Sequence, residues 1–96
     1  MSPKNKKKLN ILRKKLDKLD NKLLNIIKTR TDIIKIVISL KNNKKEIVDK
    51  KRIAFILRKI KKSSIKKKID PTITNKIWKN MIWSYIDFER KIFRKK

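Results

Sequence analysis

Between Leu9 and Leu40 the apolar residues recur at alternating spacings of three and four: Leu9, Leu12, Leu16, Leu19, Leu23, Ile26, then Arg30, then Ile33, Val37 and Leu40. A seam of period near 3.5, held for more than four heptads, specifies a helix and little else. It predicts a first helix from about Lys6 to Lys41, roughly 50 Å long. A solitary helix of that length cannot bury its own stripe. A chain of 96 residues also has limited apolar surface with which to cover it. A partner is implied.

The remainder breaks into two further helical stretches. There is no glycine, and the only prolines are Pro3 and Pro71, which disfavours a sheet built on tight turns. Residues 42–48 are polar, lack the stripe and read as a loop. Asp49 is placed to cap a second, short helix carrying Ile53, Ile56, Leu57 and Ile60. Lys61 to Lys68 reads as the end of that helix plus a connection. Asp70-Pro71 restarts the chain, with aspartate as N-cap and proline at the first helical position. The third helix then runs to about Phe93 on Ile73, Ile77, Trp78, Met81, Ile82, Tyr85, Ile86, Phe88, Ile92 and Phe93. The expected fold is all-α, three helices (long, short, medium-long) in one domain spanning 1–96, with a basic extension at 1–8 and a core at about 9–93. No apolar leader segment is visible, and Lys35 interrupts the Ile33–Leu40 run, so a cytoplasmic protein without a membrane partner is expected.

Composition narrows the chemistry. Cysteine and histidine are both absent, which excludes disulfides, thiolate or histidine metal sites, cysteine nucleophiles and Ser-His triads. The net charge of +24 invites a nucleic-acid reading. The excess, however, is lysine: of 32 basic residues only Arg13, Arg30, Arg52, Arg58, Arg90 and Arg94 are arginine. Lysine, asparagine and isoleucine share A/T-rich codons, while the missing glycine and scarce alanine need G/C-rich ones. Genomic A+T bias thus accounts for the charge without a nucleic-acid partner. The charge still steers small anions.

The informative residues are those that interrupt the stripes. Arg30 sits in the seam, where a charge is either paired (with Asp20, Asp32 or a carboxylate of another helix) or reserved for a ligand. Arg13, Arg30 and Lys41 share one face of the first helix. Arg13 and Arg30 are seventeen residues apart, roughly 25 Å along the axis, so they cannot serve one site within one chain. In an antiparallel pair of chains, Arg13 of one copy approaches Arg30 and Lys41 of the other. Lys41 taken alone reads as a solvated surface group. Arg52 lies in the first turn of the second helix, where the dipole disfavours a cation; pairing with Asp49 or Glu46 is the plain reading. Glu89 falls on the stripe of Trp78, Ile82, Tyr85, Ile86 and Phe93. There it is either an ion-pair partner or a carboxyl held neutral among aromatics, able to donate a hydrogen bond. Phe55, Trp78, Trp83, Tyr85 and Phe88 read first as packing; Tyr85, beside Glu89 on its stripe, is also carried as a candidate substrate contact.

The ordered set resembles a known family. Leu12-Arg13-Lys-Lys-Leu16-Asp17-Lys-Leu19-Asp20-Asn-Lys-Leu23-Leu24 looks like the opening of AroQ-class chorismate mutases. Arg30, Lys41, the D-x-x-R of Asp49 to Arg52, Asp70-Pro71, and the run from Ile77 to Glu89 follow at the family's spacings. The resemblance implies an intertwined homodimer of three-helix protomers, the first helices antiparallel, that rearranges chorismate to prephenate without a cofactor. It implies that Arg13 of one subunit and Arg30 of the other bind the substrate carboxylates, with Arg52 contributing at that end. Lys41 would contact a carboxylate and the ether oxygen, Asp49 would lie close to the ring hydroxyl, and Glu89 would hydrogen-bond the ether oxygen. Arginine at three of these positions fits carboxylate recognition, because lysine cannot reproduce the bidentate fork.

Two departures stand out. Many family members carry glutamate after the D-x-x-R arginine, where it binds the substrate hydroxyl; here it is Ile53. The segment Arg52-Ile-Ala-Phe-Ile-Leu, with Ile77-Trp78 and Met81-Ile82…Tyr85-Ile86 near the end, resembles the branch containing isochorismate pyruvate lyases, which leaves salicylate formation as the rival activity. A basic helical nucleic-acid-binding protein is the rival of another class. The family often has glycine just before the third helix, where this chain has Lys68, implying a strained turn or a different connection.

Overall fold

A computed structural model describes residues 1–93. Three α-helices follow in order, α1 (Pro3–Ser39), α2 (Lys50–Lys66) and α3 (Pro71–Ile92), with a 3-10 turn at Lys44–Glu46. No strand occurs among the described residues. The all-α, three-helix expectation holds. The chain divides into two compact units, one ending at Ile33 and one beginning at Ile34.

In the first unit, helix α1 starts three residues earlier than the seam alone predicts. The Ser2 hydroxyl accepts the Asn5 N–H at 3.2 Å, and Pro3 stands at the first helical position, where its missing N–H costs nothing. The basic segment expected to precede the fold is therefore mostly helical. The seam leucines lie open: Leu12, Leu16, Leu19 and Leu23 are 53–57% exposed. Full burial of such a side chain stabilises by about 1.5–3 kcal/mol, so this stripe leaves a large share of its apolar energy unrealised. On the polar side Lys28 Nζ meets Asp32 Oδ1 at 2.7 Å, one helical turn apart.

The second unit carries the core. Ile38, Ile47, Ile82 and Ile86 are buried together, with Val48, Ile53, Ile56, Leu57, Ile92 and Phe93 packed against them. The final turn of α1 tightens, with Leu40 N–H on Val37 O and Lys41 N–H on Ile38 O, so that Ile38 points inward and Lys41 ends the run. The polar segment after it is more structured than its composition suggests. Asn43 caps the 3-10 turn by accepting the Lys45 N–H at 3.0 Å and donating to Glu46 at 3.1 Å. This turn delivers Ile47, at 3% exposure one of the most buried residues, into the core.

Helix α2 is longer than the stripe predicts, running through Ser63 and Ser64. Ser64 is buried: its hydroxyl donates to Ile60 O at 2.6 Å and lies 2.7 Å from the Thr74 hydroxyl of α3. Two small hydroxyl residues thus bridge the helices where an apolar stripe was sought. Lys68 then takes φ 58°. Its N–H bonds Ile65 O while that of Ile69 bonds Ser64 O at 2.9 Å, a Schellman ending whose left-handed position is normally glycine. Of the two connections Lys68 implied, the strained turn is the one found. Asp70 caps α3 by accepting the Thr72 N–H at 2.9 Å, with Pro71 behind it.

Candidate active site

Two polar side chains converge at the edge of the apolar core of the second unit. Lys41 is set by the tightened end of α1, and Glu89 by the last turns of α3, one turn beyond Ile86 on the same buried face. Lys41 Nζ stands 3.7 Å from Glu89 Oε1, a charge contact rather than a hydrogen bond. Both are withdrawn from water, with side-chain exposures of 19% and 10%. Burial pushes the Glu89 carboxyl above its ordinary value; the Lys41 ammonium pulls it back only in part. Lys41 is therefore not the solvated group its isolated position in the sequence suggests. Glu89 is ion-paired, as one of its two readings had it, and burial shifts its carboxyl in the direction of the other.

The D-x-x-R pair opens α2. Asp49 Oδ1 accepts the backbone N–H of Arg52 at 3.0 Å, the expected cap. The side chains do not pair as expected: among the described residues the Arg52 guanidinium makes no ion pair with Asp49 or Glu46. Its Cζ instead lies 5.3 Å from the centroid of the Phe55 ring. That cation–π contact stabilises by about 0.5–1 kcal/mol at an exposed site, and Arg52 itself is exposed. Phe55, read as packing, is 47% exposed and acts as this platform; the i, i+3 spacing on one helix was the signal for it. Ile53, next to Arg52, turns inward and packs on the core cluster. An aliphatic side chain there offers no hydrogen bond to a ligand.

Tyr85 lies one turn before Glu89 on α3 and is half-buried. Arg13 and Arg30 belong to the first unit, Arg13 exposed on α1 and Arg30 half-buried on the same helix. The structure thus brings Lys41 and Glu89 into contact, and ties Asp49 to Arg52 through the cap.

Among the described residues no group of three histidine, cysteine, aspartate or glutamate side chains could hold a metal ion, and no helix is long and apolar enough to cross a membrane. One groove of about 470 Å³ is lined by Leu57, Arg58, Lys61, Pro71, Thr72 and Asn75; another, of about 750 Å³, by Asn42, Asn43, Lys44, Lys45 and Phe93. Neither includes Lys41 or Glu89.

What the arrangement offers chemically is a half-buried cation beside a buried carboxyl raised above its ordinary value, with an exposed guanidinium on the next helix. A cation beside such a carboxyl suits an anionic ligand. No curated protein and no solved structure matches the chain at a significant level. The family model described as chorismate mutase type II matches residues 12–90, from the arginine-bearing seam to just beyond Glu89, and the chain belongs to that family.

Proposed function

We propose that the protein is a chorismate mutase, converting chorismate to prephenate by a [3,3] rearrangement. The observation that carries this reading is the Lys41–Glu89 contact at 3.7 Å, which brings a half-buried cation and a buried carboxyl together in a chain of this family. The reaction is unimolecular and needs no nucleophile, metal or net proton transfer, which suits a chain without histidine or cysteine. Its catalysis would come from holding the compact diaxial conformer and from stabilising negative charge on the breaking ether C–O bond. Lys41 and neutral Glu89 are the donors for that oxygen. Arg30, Arg52 and the partner subunit's Arg13 hold the carboxylates, Asp49 lies toward the ring hydroxyl, and Tyr85 lines the site.

The reading carries a cytoplasmic homodimer as the working form, one domain per chain. The open leucine stripe of α1 supports this, as does the roughly 25 Å between Arg13 and Arg30, which puts them in one site only if α1 pairs antiparallel with a second copy. Prephenate formation in the aromatic amino acid pathway is the role that follows.

A second reading, isochorismate pyruvate lyase, is favoured by one observation: Ile53 faces the core where a hydroxyl-binding glutamate is common in mutases. Parallel incubations of the purified protein with chorismate and with isochorismate separate the two. Prephenate from the first is the expected product. Salicylate from the second, at the higher kcat/KM, would reverse the assignment.

A further inference from the structure

Lys41 faces two claims on a single charge. Without ligand it sits 3.7 Å from Glu89, and Glu89 is only 7% exposed, so water does little to stabilise a carboxylate there. Of the charged groups on neighbouring elements, Glu46 is engaged by Asn43, while Asp49 and Arg52 at the start of α2, and Asp87 and Arg90 on α3, are exposed. Lys41 is the cation in contact with Glu89. A dianion arriving at Lys41 places further negative charge beside a carboxylate that burial already disfavours. A like charge within about 4–6 Å raises the affinity of such a group for a proton, and a buried acid responds by neutralising rather than by enduring an unpaired charge.

We infer that binding of the dianionic substrate is coupled to uptake of a proton by Glu89, so that the ligand itself turns the carboxylate facing Lys41 into a hydrogen-bond donor. The proton comes from bulk solvent, no bond in the ligand is made or broken, and on release the carboxylate re-forms its contact with Lys41. The inference rests on Lys41 and Glu89 belonging to the substrate site. It goes further by making the catalytic protonation state a product of binding. Two consequences follow. Ligand affinity weakens as pH rises, by up to tenfold per unit. The falling limb of kcat, which reports the complex, lies at higher pH than that of kcat/KM, which reports the free enzyme.

The test is calorimetric titration of the intact protein with prephenate, the dianionic product of the proposed reaction. It is run at pH 7.5 in two buffers of different ionisation enthalpy. The expected result is net proton uptake in the wild type and none in Glu89→Gln, with affinity that varies with pH only in the wild type. Binding without uptake in the wild type overturns the inference while leaving the proposed function standing, as does uptake that persists in Glu89→Gln. Failure to bind prephenate, with failure to turn over chorismate, overturns both.

Discussion

At the scale of single residues, Glu89 sets the pH behaviour. Its carboxyl is raised above 4.5, first by burial, with Lys41 opposing. The folded protein therefore holds this proton more tightly than the unfolded chain. The resulting stability is fully present below the ordinary value and is lost as pH rises through the folded one. Activity follows the same sign, because only the neutral carboxyl can donate: kcat/KM falls as pH rises through that raised value, and Glu89→Gln flattens the fall. A pH–rate profile of Glu89→Gln with the wild-type limb intact would remove Glu89 from the mechanism. Lys41→Met should lower kcat by about 100- to 1000-fold, the loss expected for one buried donor at a developing anion, while helical circular dichroism stays unchanged. Lys68 is a residue-scale matter of another kind. At φ 58° a side chain costs about 1 kcal/mol that glycine does not. Lys68→Gly should raise stability by somewhat less than that, since glycine also adds entropy to the unfolded chain, and thermal melts would show it.

At the scale of elements, the Ser64–Thr74 hydroxyl pair joins α2 to α3 in a core that is otherwise isoleucine. Removing one hydroxyl leaves the other short of a buried partner, so Ser64→Ala should destabilise by about 1–2 kcal/mol. A double-mutant cycle with Thr74→Val should recover a coupling of about 1 kcal/mol in urea melts; strict additivity would mean the pair contributes nothing. This feature was not legible in the sequence. A stripe search rewards apolar residues, and Ser63-Ser64 looks like a helix running out. Ile47 was hidden for a related reason, since a 3-10 turn has too few residues to show a period. The elements governed by local chemistry were legible: the Asp49 and Asp70 caps, Pro71, and the α1 seam each act within one turn of themselves. The candidate site divides the same way. Arg52 and Asp49 could be placed from their D-x-x-R spacing. The contact between Lys41 and Glu89, by contrast, depends on how the end of α1 meets α3, while the i, i+3 spacing of Arg52 and Phe55 allowed their contact without selecting it over packing.

At the scale of the whole molecule, the account turns on α1 and a second copy of it. Leu16→Asp with Leu23→Asp should abolish self-association in sedimentation equilibrium and remove activity with it. If each site draws Arg13 from one chain and Arg30 from the other, Arg13→Ala and Arg30→Ala are separately inactive. Mixing the unfolded variants and refolding them together should restore about a quarter of the sites, because half the dimers are mixed and each mixed dimer regains one intact site. No recovery would place both arginines in one chain's site or neither in any. The net charge of +24 acts at this scale as well, drawing an anionic substrate inward, so kcat/KM should fall as ionic strength rises. Beneath these stands the reaction itself. Incubation of the purified protein with chorismate, with prephenate and pyruvate both quantified, should show prephenate formed in step with chorismate lost and no pyruvate released. Chorismate left unchanged, or consumed with release of pyruvate, would contradict the assignment.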